Sequence, residues 1–278
     1  MVAKDLLWHD AARWRSDDQR VLAGGVGQAC GVAAPAGDLE VLDVHRETAF
    51  AFDARGRMVH ESSPDRSPGR RFSLVGCRDG NVAVVRADVP ETVACELDRL
   101  VASEPPLSNP DSDPVHLEAY RNLLGAGMAS VEHYHGLLWV FPVPLTYEAE
   151  AELVLSGTSE ADLLVGRFGE AMPASLIDKG FRTPKDLWEP WCVAVVGGEI
   201  ASIADTVRAG PGGAEVGVDT AVGFRGRGLA AAASAGWCRH PDLADVIRFY
   251  GTGRDNSSSR RVAERLGLRF LGATFAVQ

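Results

Sequence analysis

Residues 214–237 read AEVGVDTAVGFRGRGLAAAASAGW. The first part alternates in the manner of a half-buried strand, and the alanine-rich run from Leu229 onward reads as a helix. Between them, Gly223, Gly226 and Gly228 are interleaved with Arg225 and Arg227. A strand that enters a helix through such a turn suits an anion. Glycines let the backbone approach a ligand closely, the first N–H groups of the helix point outward with the positive end of its dipole, and arginines add charge-assisted bonds to phosphate oxygens. A basic turn that binds nothing would show the same local spacing. The turn has neither the lysine and hydroxyl of GxxxxGK[ST] nor a GxGxxG opening a dinucleotide unit, so nucleotide hydrolysis and hydride transfer recede.

Arg225-Gly226-Arg227-Gly228-Leu229-Ala230 fits Q/R-x-x-G-x-G/A at every specified position, and Asn256-Ser257-Ser258-Ser259 followed by VAERLGLRFLG supplies a second block downstream. Together these resemble the GCN5-related N-acetyltransferase superfamily over about residues 145–278. The resemblance implies a mixed, mostly antiparallel sheet flanked by helices, an α+β arrangement. Two central strands, AEVGVDTAV and VIRFYGTG, would splay apart to admit the pantetheine arm of acetyl-CoA. Val218, Thr220 and Val222 would lie near the acyl or pantetheine part. Arg225, Gly226, Arg227, Gly228, Leu229 and Ala230 would cradle the pyrophosphate, with Asn256 and Ser259 approaching from the next helix. The implied activity is direct acetyl transfer in a ternary complex to a primary amine of a small molecule, amino acid or peptide. A catalytically weak acyl-CoA-binding or regulatory protein is the alternative.

Working outward, CVAVVGGEIASIADTVRAG predicts two strands joined at Gly197-Gly198, with a helix over 229–239 and a strand over 246–251 beyond the glycine turn. Toward the N-terminus, ETAFAFDARGRMVH and RFSLVGCRDGNVAVVRAD read as two hairpins forming a small antiparallel sheet. ETVACELDRLVASE after Pro90 reads as a helix, and PPLSNPDSDP as a linker. HLEAYRNLLGAGM predicts another helix, GLLWVFPVPL a buried strand, and EAEAELVLSGTSEADLLVGRFGEAMPASLIDKG one or two helices broken near Gly157. Leu6–Arg20 suits a first helix. The expected division is an N-terminal α/β module over 1–125, with a degenerate second copy of the same fold left open, and the acetyltransferase-like unit over 126–278.

The chain has 278 residues, 46% of them hydrophobic, enough apolar material for ordinary packed cores. Its net charge of -10 argues against a generic nucleic-acid coat or an electrostatic membrane binder. The opening MVAKDLLWHD lacks the apolar stretch of a secretory signal and no run is long enough to span a bilayer, so a cytoplasmic protein is expected. Charge is unevenly distributed: over residues 225–269 nine arginines face four acidic residues, a local balance of +5. The five cysteines are scattered without CxxC spacing, which predicts free buried thiols and no metal site.

Acyl transfer to an amine needs a neutral, well-placed nitrogen and a proton for the departing sulfur, and no metal or covalent nucleophile. Glu215, at the start of the strand before the glycine turn, is the leading base candidate, with a hydrogen-bonded strand-end carboxylate as the plain alternative. The family pattern often carries a tyrosine seven residues after the asparagine, but Ala263 occupies that place. Tyr250 and Ser259 are the acid candidates in its stead, and water is a further route. Glu199 and Asp205 are weaker candidates for an ammonium, Trp188 and Trp191 for an acceptor wall, and His133 and His135 for any catalytic duty. The acceptor amine, the role of the N-terminal module and the oligomeric state, a homodimer among the options, are not encoded in these motifs.

Overall fold

A computed structural model describes residues 37–125 and 132–278, so the expected helix over Leu6–Arg20 and Cys30 lie outside the described residues. Among the described residues, eleven strands and eight α-helices are arranged as a nine-stranded mixed sheet, a separate two-stranded hairpin and helices on both faces. The N-terminal part opens with α1 (Asp38–Ala49), then the hairpin β1 (Phe50–Phe52) and β2 (Met58–Glu61), and a second hairpin β3 (Phe72–Cys77) and β4 (Gly80–Val85). Helix α1 was not anticipated: its VLDVHRETA segment buries Val41, Leu42, His45 and Thr48 on one side, a helical spacing that overrides the strand-like start at Glu47. Helices α2 (Glu91–Ser103) and α3 (Leu117–Leu124) bracket the proline-rich linker, and β5 (His133–Val140) follows.

Next come β6 (Glu152–Leu155), the short helices α4 (Ser159–Gly166), α5 (Phe168–Ala171) and α6 (Ala174–Ile177), and the antiparallel β7 (Cys192–Val196), β8 (Glu199–Gly210) and β9 (Gly213–Thr220). The expected helix before Gly157 is instead the edge strand β6, because Leu153, Val154 and Leu155 pair with β7. Helix α7 (Leu229–Cys238), β10 (Ile247–Gly253), α8 (Ser257–Arg265) and β11 (Arg269–Val277) complete the chain. Among the free cysteines, Cys77, Cys192 and Cys238 are buried as expected, but Cys95 is exposed on the outer side of α2.

The sheet order is β4-β3-β11-β5-β10-β9-β8-β7-β6. All neighbouring pairs are antiparallel except β9 with β10, which agrees with the mixed, mostly antiparallel α+β class expected. The sheet is continuous across the expected module boundary at residue 125: β3 hydrogen-bonds to the C-terminal strand β11, and β5 is inserted between β10 and β11. The first hairpin forms its own small sheet, whereas the second joins the large one.

The parallel ladder between β9 and β10 runs from Gly213↔Ile247 to Val216↔Tyr250 and stops there. Beyond that point β9 follows β8 to Thr220 while β10 follows β5 to Gly253. The two strands therefore diverge at the centre of the sheet. Helix α7 seals one side of the divergence: it is buried from Ala231 to Cys238, and an ideal Cβ on Gly236 would stand 2.3 Å from Cys192 Sγ. Small residues in AAAASAG thus let the helix lie almost on the strands. Trp237 anchors its end, fully buried with Nε1 donating to Thr206 Oγ1 at 2.9 Å. Burial of that indole contributes on the order of 4 kcal/mol before the entropy of ordering is counted.

Candidate functional site

A cleft of about 760 Å³ opens on the α7 and α8 side of the divergence. Its walls come from β9 (Val218, Thr220), the glycine turn and start of α7 (Arg225, Gly226, Gly228, Leu229, Ala230), β10 (Tyr250) and α8 (Asn256, Ser259). These segments are far apart in sequence, and all belong to the set expected around acetyl-CoA. Gly226 and Gly228 both lie in the left-handed region, at φ 77° and 81°, which turns the backbone N–H groups of the loop outward. Among the described residues no backbone bond uses the N–H of Gly226, Arg227 or Gly228. A Cβ on Gly228 would stand 2.4 Å from a guanidinium nitrogen of Arg265, so the loop and this arginine enclose one small space. Outward N–H groups, a helix start and a guanidinium over a glycine cradle fit a pyrophosphate.

Two expected residues are placed differently. Val222 lies past the end of β9 in a single 3-10 turn; strand alternation ends at Thr220, and the side chain is 60% exposed outside the cleft lining. The Arg227 side chain stacks on Phe224, 5.5 Å from its ring centre, and Arg227 is not among the residues that line the cleft. Asn256 lines the cleft while its Oδ1 accepts from Ser259 N at 3.0 Å, so it also caps α8. Arg261 and Arg265 were missed; they project one turn apart from α8 into the cleft, and their i, i+4 spacing in SSSRRVAER was the available signal. Lys179 also lines the cleft, ion-paired with Asp219, and only the return of the α6 loop over β9 brings it there.

At the inner end of the cleft, Tyr250 occupies the last position of β10 that pairs with β9. Its hydroxyl lies 2.8 Å from Ser259 Oγ, and burial pushes its pKa up to about 12 despite that bond. Ala263 is buried in the core one turn further along α8, so the phenol that reaches the vertex comes from the strand rather than the helix.

Glu215 lies on the opposite face of the sheet, because it alternates with Val216 and Val218 along β9. It nevertheless reaches the same vertex: an ideal Cβ on Gly251, the first residue of β10 past the paired stretch, would stand 2.5 Å from Glu215 Oε1. Oε2 receives Arg208 at 3.1 Å and lies 3.5 Å from His45 Nε2 on α1. Arg208 is held in turn by Glu61 at 2.8 Å. Burial drives the Glu215 carboxyl upward, but Arg208 and His45 outweigh it and hold the pKa at about 2. Burial acts against the charge of Arg208, and the two carboxylates overcome it and raise its pKa. His45 and Glu61 carry no sequence signal linking them to Glu215, since their proximity depends on α1 and β2 folding against β8 and β9.

The weaker candidates have structural surroundings. Asp205 is buried and accepts from Trp188 N at 3.4 Å; Trp191 is buried beneath α4–α6. Glu199 is exposed at the β7–β8 turn. His133 and His135 pack against Phe275 on the face away from Glu215. Among the described residues no cluster of three or more His, Cys, Asp or Glu side chains could hold a metal, and no helix is long and apolar enough to cross a membrane.

No family model and no curated protein matches the sequence. Among solved structures the chain is similar to a GCN5-related N-acetyltransferase-like protein from Streptococcus suis, at 16% identity and TM-score 0.41, covering 77% of this chain and 86% of that one. It is also similar to a GNAT-family acetyltransferase from Colwellia psychrerythraea, at 12% identity and TM-score 0.40, covering 86% and 95%. A functionally unknown conserved protein from Staphylococcus epidermidis matches at 15% identity and TM-score 0.41, covering 67% and 76%.

Proposed function

We propose that the protein is an acetyl-CoA-dependent N-acetyltransferase of the GCN5-related type, acting on a primary amine by direct transfer. The observation that carries this reading is convergence: the Arg225–Ala230 turn, the start of α8 and the diverging β9 and β10 line one cleft, with a protonated phenol at its inner end. Backbone donors at Gly226–Ala230, aided by Arg225, Arg261 and Arg265, would hold the pyrophosphate, and Val218 and Thr220 would flank the pantetheine arm. Bound there, acetyl-CoA supplies an activated acyl group as a thioester.

The chain's own groups divide the remaining work between the two faces. On the acceptor face Glu215 stays ionised throughout the neutral range, with Oε2 engaged and Oε1 turned to the vertex, where it accepts an N–H of the incoming amine and orients its lone pair. A carboxyl held at about 2 has too little proton affinity to store the amine's proton, which passes on to water. This revises the general-base role expected for it into one of positioning and charge. On the cofactor face Tyr250 keeps its proton at neutral pH and can deliver it to the departing sulfur, with Ser259 as its hydrogen-bond partner. Tyr250 and Ser259 thereby take the place vacated at Ala263.

Calorimetric titration with acetyl-CoA, followed by detection of free CoA across a panel of primary amines, tests the reading. Saturable binding and amine-dependent CoA release are expected. Binding without release from any amine would favour an acyl-CoA-binding or regulatory protein, and absence of binding would overturn the assignment of the cleft.

A further inference from the structure

On the face of the sheet that carries Glu215, one aromatic ring covers the strands beside the vertex. An ideal Cβ on Gly136 would meet the Tyr134 ring at 2.7 Å, and one on Gly253 would meet it at 3.6 Å. The ring therefore lies along β5 and β10, and Gly136, paired with Gly253, leaves room for it. Above it stands Arg70, from the segment leading into β3, with Cζ 4.9 Å from the ring centre. Stacking fixes the plane of the guanidinium.

Arg70 differs from its neighbour Arg208 in one respect. Arg208 is satisfied by Glu61 and Glu215, whereas among the described residues the Arg70 guanidinium makes no ion pair within 4.0 Å and no hydrogen bond. It is half-buried, and its nitrogens are not among the sealed, unpartnered polar atoms, so water or a ligand can reach them. Five fixed donors, partly stripped of water and left without an acceptor, form a place for an anion. Charge balance selects the anion. Arg70 and Arg208 face three carboxylates, Glu61, Glu215 and Glu132, so a zwitterionic ligand adds no net charge to the site, while a phosphate dianion would add two negative charges beside them.

Building on the acetyltransferase reading, we infer that the acceptor is an amine that also carries a carboxylate, and that Arg70 binds this carboxylate while the amine is presented to Glu215 Oε1 at the vertex. Arg70 thereby determines specificity and takes no part in bond making.

The test uses the full chain with glycine, β-alanine and 4-aminobutyrate, each beside its primary amide. For the wild type, kcat/KM for the best amino acid should exceed that for its amide by about 10- to 100-fold. R70M should erase the difference by raising KM for the acid with kcat little changed and the amide unaffected, and R70K should recover part of it. Calorimetric binding of the same acids and amides to CoA-saturated protein should show the same preference and its loss in R70M. Equal use of acids and amides by the wild type, or equal losses for both in R70M, would overturn the assignment of Arg70 and leave the acetyltransferase reading standing. Failure to bind acetyl-CoA would overturn that reading first.

Discussion

The two faces of the sheet meet at one vertex and handle charge in opposite ways. On the cofactor face Arg225, Arg261 and Arg265 are exposed, and among the described residues none has a carboxylate within ion-pairing distance. On the acceptor face Glu215 and Arg208 are enclosed and joined to Glu61 and His45. A large anion that arrives and leaves can be held by hydrated cations, whose desolvation is small, together with fixed backbone N–H groups. An internal carboxylate instead needs permanent counter-charges to exist as an anion at all. The faces should consequently fail in different ways when disturbed.

The largest expected effect is G228W. Its bulk would fill the space shared with Arg265 while the left-handed φ of 81° adds only about 1 kcal/mol of strain, so acetyl-CoA affinity should fall by at least about 100-fold in a folded protein. Calorimetry and a thermal melt separate the two effects. Wild-type affinity in a folded G228W protein would break the assignment of this face.

R208M disturbs the other face. Removal of the half-buried cation that neutralises the buried Glu215 carboxylate should destabilise the fold by about 3–5 kcal/mol. In the wild type the depressed pKa of Glu215 stabilises the fold above its ordinary value of 4.5, and that contribution is lost as pH falls toward about 2. In R208M burial is offset by His45 alone, the folded pKa rises toward its unfolded value, and the loss of stability between about pH 4.5 and 2 should shrink. Urea unfolding midpoints across that range check it, and parallel pH slopes in both proteins would remove Arg208 from the account.

Y250F should lower kcat by about 100-fold with little change in acetyl-CoA affinity, because the phenol is asked to act only when sulfur departs. E215Q should be milder, about 10-fold in kcat/KM, with no change in the shape of the pH profile near neutrality, since nothing on Glu215 titrates there. A neutral-range limb that vanished in E215Q would restore Glu215 as a titrating base and break the division of labour between the faces.

The face that carries the glycine turn was largely legible in the sequence. Ten residues expected there, from Val218 to Ser259, line the cleft or reach its inner end, because strand, glycine turn and helix start are contiguous and their geometry is local. Val222 was misplaced for a local reason too: the strand ends two residues earlier than its apolar alternation suggested. The acceptor face was almost silent. Glu215 stood out, but its partners Arg208, Glu61 and His45 come from β8, β2 and α1, and Tyr134 and Arg70 from β5 and the approach to β3.

By itself the sequence determined the glycine-arginine turn, the capped start of α8 and the hairpins at Asp79-Gly80 and Gly197-Gly198, since each depends on residues within a few positions of one another. Only the tertiary structure decided that β5 threads between β10 and β11, that β3 extends the same sheet, and that Arg70, stacked on Tyr134, stands on the same face as the ion-paired Arg208. Those features depend on pairings across about 200 residues of chain, between Val75 and Thr274 for example, where no periodicity or turn chemistry links the partners and only packing against a common sheet brings them together.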